Sequence, residues 1–262
     1  MPEARSGNPA TRLFMLSFLE LWRNKLGLIL LLIIPPIFLG VVEWTSGQIP
    51  LPIELFFRSE IQQVLLSQRD ISLVFIGAAV SGFLTAYYAI LLFHRNFNYY
   101  RHCIGMGLTP TSFITARFLF FLTVVAALAL FITMVAGVMT PLKNPAGVFL
   151  GFLLVGAVYG AYGGLIGLIC KDFMVAVLWV VLLANLDAGW LQNPVFYTTA
   201  QETTIIHWLP AFYPSQVVFA AAFTGQINMW AVTFSLLYGA ILFLLMLIIT
   251  HMRIRSLRRW WK

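Results

Sequence analysis

The residues able to do chemistry in this chain are few, and their setting is unusual. Asp187 lies about fifteen residues into an apolar stretch, with Asn185 two positions before it, and Glu43 ends another such stretch. A carboxylate deep in a bilayer costs roughly 2.5–3.5 kcal/mol on insertion scales, a cost that falls toward the interface. Each acid therefore has two readings: a structural or solvated group near the membrane edge, or a group lining a path. His94, His102 and Cys103 fall within one segment and could meet a metal ion, but one thiol and two imidazoles without a nearby carboxylate form a thin ligand set. A solvated loop is the default reading there. A phosphate-binding loop needs Gly-Lys-Ser/Thr. The four lysines follow Asn24, Leu142, Cys170 and Trp261, so the chain has no such loop. Neither HExxH nor GxSxG occurs.

The elements that position these residues are set by hydropathy. Hydrophobic residues make up 61% of the 262 and charged residues only 10%, which excludes an ordinary soluble domain. A bilayer core of about 30 Å takes about 20 apolar residues per helix. Six stretches qualify: Leu26–Val42, Ile71–Phe93, Phe118–Met139, Gly147–Ile169, Phe173–Leu191 and Trp230–His251. The short connections leave no room for a soluble catalytic domain.

Charge orients the spans. With both termini inside, the outer connections hold only Arg58, Arg69 and Lys143, and the other thirteen of the 16 basic residues lie inside. This bias predicts six helices with two cytoplasmic ends. The net charge of +7 then reflects topology and contact with anionic lipid, not nucleic acid. The first span reads as a retained helix rather than a signal peptide. Cys103 and Cys170 both fall on the inner side, where a disulfide is not expected.

Finer features follow. Residues 1–10 read as a disordered tail. Over 11–24, Arg12, Ser17, Glu20, Arg23 and Asn24 share one arc at helical spacing, which predicts an amphipathic helix in the inner headgroup layer. Pro35 and Pro36 should kink the first span or break it in two. In the first outer connection, Ile53, Phe57, Ile61, Val64 and Leu65 share a face at helical spacing and predict a short helix. The fourth span carries Gly147, Gly151, Gly156, Gly160 and Gly164, a spacing that lets helices approach closely, for fixed packing or for a moving surface.

Residues 192–229 contain one charge, Glu202, and a nearly apolar run over 208–224. A seventh span would put the Arg-rich C-terminus outside, so two short re-entrant or interfacial helices, near 194–198 and 214–223, fit better. Trp190, Phe196, Tyr197, Trp208, Phe212, Tyr213 and Trp230 would form an outer aromatic belt.

Taken together, these features resemble the membrane subunit of six-helix, second-class ABC exporters. The points of likeness are an inner amphipathic helix, a first span with central prolines, a basic inner loop over 94–117 and re-entrant helices before the sixth span. That family carries a coupling helix in this loop, ending near a Thr-Pro-x-Ser element. Thr109-Pro110-Thr111-Ser112 matches it, preceded by Tyr99-Tyr100-Arg101-His102-Cys103-Ile104-Gly105-Met106-Gly107-Leu108. The Glu-Arg-Glu-x-Gly-Thr run common ahead of this element is replaced here by His94-Arg95-Asn96-Phe97-Asn98.

The resemblance implies an all-α polytopic fold in the plasma membrane, bacterial inner membrane in type. It also implies a second copy of the permease, as a homodimer or heterodimer, and a separate ATPase that holds ATP and Mg, this chain itself binding no cofactor. Tyr99, Tyr100, Arg101, Ile104, Gly105, Met106, Leu108, Thr109 and Pro110 would couple to the ATPase, and Pro35, Pro36, Glu43, Asn185 and Asp187 would line or shape the substrate path. Scarce charge within the spans favours a lipophilic or amphiphilic cargo, with a lipid-linked polysaccharide as the alternative. A membrane-embedded enzyme would normally show more polar residues within its spans, and a secondary transporter would show inverted repeats with a partner for the Pro35–Pro36 break.

Overall fold

The computed structural model describes residues 9–57, 61–94, 110–197 and 204–259. Six helices in it are long and apolar enough to cross a membrane. Helix α1 (Pro9–Arg23) leads through Asn24 into α2 (Lys25–Thr45), and the Asn24 side chain caps α2 by accepting from the Gly27 amide at 3.1 Å. Strands β1 (Pro50–Phe56) and β2 (Ile61–Ser67) follow, and then α3 (Gln68–His94). Next come α4 (Pro110–Met139), α5 (Pro145–Ile169) and α6 (Phe173–Leu186). A π-helical turn, Asp187–Leu191, ends the fifth span. Short helices α7 (Pro194–Tyr197), α8 (Thr204–His207) and α9 (Phe212–Phe223) precede the long α10 (Met229–Arg259).

Helices α3 and α5 form the centre and pack against each other over most of their length, while the other long helices surround them. Glycine explains the closeness. A Cβ on Gly163 would stand 2.3 Å from the Ala86 carbonyl oxygen of α3, and one on Gly151 would stand 2.8 Å from the Val218 amide nitrogen of α9. Only hydrogen fits at either position, so the regular glycines of α5 seat two different neighbours.

The connection between the first two spans is not helical. β1 and β2 pair antiparallel from Pro50–Ser67 to Phe56–Ile61. The helical spacing of Ile53, Phe57, Ile61, Val64 and Leu65 was coincidental. Ile53 is fully buried, whereas Ile61 and Leu65 are exposed. A period of two governs instead: Ile53 and Leu55 enter the core, and Glu54 turns outward, where it accepts from Gln63 Nε2 at 3.3 Å. A lone hairpin is marginally stable, and here the helices hold it. The Phe56 amide donates to Gln216 Oε1 of α9 at 3.1 Å, and Asn228 Nδ2 donates to the Phe56 carbonyl at 2.7 Å.

Pro35 and Pro36 do not break the first span, which runs as one helix with both prolines inside it. Each lacks an amide donor, but Leu31, Ile34, Leu39 and Val42 on either side pack into the core and anchor the helix on both sides of the prolines.

Candidate functional site

Asp187 is a buried carboxyl-bearing residue within the described spans. The α6 helix ends on it, and the π-helical turn that follows rotates its carboxylate into the bundle, where it is 5% exposed. Three donors converge there. The Tyr159 hydroxyl of α5 donates to Oδ2, the Ala211 amide donates to the same oxygen at 3.0 Å, and Gln192 Nε2 donates to Oδ1 at 2.7 Å. The Gln192 amide closes the turn onto the Asp187 carbonyl at 3.1 Å. Together they satisfy the acceptor capacity of a buried carboxyl group that water cannot reach. Ala211 is the residue from which α9 starts. One side chain thus ties the end of the fifth span, the central helix and the start of α9 together. Single π-turns inside α-helices occur frequently at functional positions.

Glu43 has a separate partner. Arg69, at the start of α3, grips it with both arms of the guanidinium: Nε donates to Oε2 at 2.7 Å, and the second nitrogen pairs with Oε1. The first turn of α3, which carries Arg69, lies against the end of the first span, with the Arg69 amide bonded to the Gly47 carbonyl at 3.1 Å. Close by in sequence, Asp70 accepts from Thr140 Oγ1 at 2.6 Å and from Ser67 Oγ at 2.7 Å, which joins the hairpin to the end of α4. Asn185 is exposed and returns its Nδ2 to the Val181 carbonyl of its own helix at 2.8 Å. Asp187 and Asn185, two residues apart, therefore point to different surroundings.

At the opposite end of the bundle, Arg117 of α4 is 4% exposed and pairs with Glu20 of α1 at 2.9 Å. Phe120 supports the contact, with its ring edge-on to Phe14 at 5.5 Å and to Tyr88 at 6.5 Å. α1 thus turns its Leu13 and Ser17 edge toward the bundle, while Glu20, which reaches Arg117, remains exposed together with Met15, Leu16, Phe18, Leu19 and Trp22. A cleft of about 1000 Å³ opens beside it, lined among others by Leu16, Glu20, Arg23, Tyr88 and Leu92.

Of the residues expected to couple to an ATPase, Tyr99, Tyr100, Arg101, Ile104, Gly105, Met106, Leu108 and Thr109 lie outside the described residues, and Pro110 is the first residue of α4. His102 and Cys103 lie outside them as well. His94, the remaining member of that trio, places Nε2 at 3.2 Å from the Lys171 carbonyl oxygen, with its ring against Phe173. The described residues hold no group of three His, Cys, Asp or Glu arranged to bind a metal.

Of the expected aromatic belt, Trp190 and Trp208 are exposed. Tyr213 instead packs inward on Phe234 and Trp230, with centroids at 4.9 and 5.2 Å. The His207 ring lies tilted against Phe212 with centroids at 4.4 Å, and burial lowers its pKa below the ordinary imidazole value.

Tyr159, Gln192, Arg117, Gln216 and Asn228 were not singled out from the sequence. Gln192, five residues after Asp187, offered a short-range signal. Tyr159 and the Ala211 amide meet Asp187 only through the tertiary fold. No protein-family model matches this sequence, and comparison with curated proteins gave no match.

Proposed function

We propose that this chain is the membrane subunit of an exporter of the second-class ABC type. Its six helices carry a lipophilic or amphiphilic substrate outward, and a separate ATPase supplies the energy. The observation that carries this reading is α9. It is twelve residues long, too short to span a bilayer, yet eleven of its residues are buried. It lies against α5, α10 and α3 between the fifth and sixth spans. A short helix in that position, covered by protein, is what a re-entrant element requires, and the resemblance calls for one at this point in the chain.

Two further features support the reading. α1 is held against α4 by the Arg117–Glu20 pair. α4 begins directly after residues 95–109, so a partner docked on that stretch would push on both helices. The sequence also lacks a Gly-Lys pair, so any ATP and Mg are bound by the partner. On this reading the loop and both termini are cytoplasmic, α1 rests in the inner interface of a plasma membrane, and a second copy completes the path. The first and fifth spans are only 17% and 28% buried, which leaves broad apolar faces for that copy and for lipid. Pro36 and Asn185 belong to the path side, Pro35 shapes α2 from its buried, core-facing side, and Glu43 and Asp187 shape the outer end of the path by holding the hairpin and α9.

The test is affinity purification of the tagged chain from its native membrane, in parallel with Gly105→Asp and Met106→Asp variants. A docking contact on the loop would be broken by a charge left unpaired in it. Co-purification of a P-loop ATPase with the parent, lost in both variants at equal membrane abundance, is the expected result. No ATPase with the parent would end the proposal.

A further inference from the structure

A second cavity, of about 240 Å³, lies among α4, α5 and α10. Its walls are rings and small side chains, chiefly Phe121, Ala157, Gly160, Ser235, Gly239 and Phe243. Ser235, the one polar side chain among its lining residues, donates its hydroxyl to the Ala231 carbonyl of its own helix at 2.7 Å. Water would find no good partner there, and apolar cavities of ~150 Å³ already stay dry and accept a benzene-sized guest. Left empty, the cavity would forfeit dispersion contacts along its whole lining.

The position of the cavity identifies its guest. Ala157 and Gly160 lie at mid-length of α5, and Gly239 lies at mid-length of the apolar part of α10, so the cavity sits within the depth of the spans. Its α10 wall reaches the lipid-facing surface. Leu236 is exposed, as is Leu244 one turn beyond Ala240. Ala240 itself is exposed and too short to close the mouth. A polar headgroup would meet no donor or acceptor inside.

We propose that this cavity holds an acyl chain of a bilayer phospholipid, inserted from the lipid-facing side of α10. The guest is a resident part of the folded protein rather than its cargo. Only 17% of the α10 span is buried by protein, so the inserted chain supplies contacts that help seat α10 on α5. The proposal rests on the six spans and not on the exporter reading.

Purified protein in nanodiscs of phosphatidylcholine bearing a mid-chain diazirine tests it, with photolysis followed by peptide mapping. In the parent, adducts should concentrate on residues 118–122 and 235–243 relative to the exposed face of α6 around Leu178 and Leu182. In Gly239→Leu that enrichment should disappear. A Cβ at this position meets only Val158 Cγ2, at the ordinary distance of 3.5 Å, and the larger side chain fills the cavity. Ala240→Leu, which narrows the mouth alone, should also lose it and serves if the first variant elutes aggregated. Even labelling of the cavity and α6 in the parent overturns the proposal, as does enrichment that survives either variant in monodisperse form. An exporter without this lipid, or a lipid site in a chain with no ATPase, would each be recognisable.

Discussion

Replacing Asp187 by Ala removes the acceptor on which three donors converge, from Tyr159, Gln192 and Ala211. Two magnitudes frame the outcome. Single hydrogen bonds within membrane proteins average about 0.6 kcal/mol and reach about 1.7 kcal/mol, so Tyr159→Phe, which deletes one of the three, should cost in that range. Truncating the shared acceptor leaves three buried donors unpaired, at about 1–3 kcal/mol for each one that finds no new acceptor. Set against a total stability of about 5–15 kcal/mol, Asp187→Ala should sharply reduce folded protein, and Asp187→Asn, which keeps one acceptor oxygen, should fall between the two.

The assay is thermal denaturation in detergent followed by fluorescence-detected size exclusion, with the double variant Tyr159→Phe/Asp187→Asn closing a cycle. Both residues share one bond, so the double variant should lose less than the sum of the singles. If Asp187→Ala melts with the parent, or the two losses add fully, the carboxylate does not hold these elements together.

Three other outcomes are expected. Gly163→Ala pushes a methyl into the Ala86 backbone, whereas a methyl at Gly40 meets nothing within 4 Å. The first should cost about 1–3 kcal/mol and the second should be neutral or mildly stabilising, as read by the same melting assay. His207, whose pKa is lowered by burial against Phe212, binds protons less readily folded than unfolded. Its contribution is therefore complete above the ordinary imidazole pKa and is lost as pH falls toward the depressed value. Stability measured from pH 7.5 to 5 should decline more in the parent than in His207→Gln. Finally, in a variant lacking Cys103 and Cys170, single cysteines at Ser59 and Thr204 should react with an impermeant maleimide on intact cells. One at Ser256 should not, and its labelling would overturn the orientation.

The six long helices were legible because length and hydropathy decide them, and neither depends on tertiary contacts. The hairpin was missed because five apolar residues fell at helical spacing, while the alternation of Ile53 with Leu55 covered too few residues to compete with it. Asp187 stood out as a charge within an apolar run, but two of its partners are 24 and 28 residues away and one is a backbone amide. No local pattern encodes such a meeting. Arg117 was counted only toward orientation. Its burial depends on how α1 packs against α4, which sequence periodicity leaves open. The partner of Glu43, Arg69, lies 26 residues on, beyond the hairpin, so no local pattern announces that pair.

The central claim is that this chain turns another subunit's ATP hydrolysis into export. Reconstituting the co-purified complex in proteoliposomes and measuring ATP hydrolysis against added lipophilic substrates addresses it directly. The account predicts hydrolysis that rises with a transported substrate and accompanies its ATP-dependent movement, both lost in Met106→Asp while the chain still inserts and folds. Hydrolysis indifferent to every substrate and to Met106→Asp, or substrate movement that continues without ATP, would contradict it.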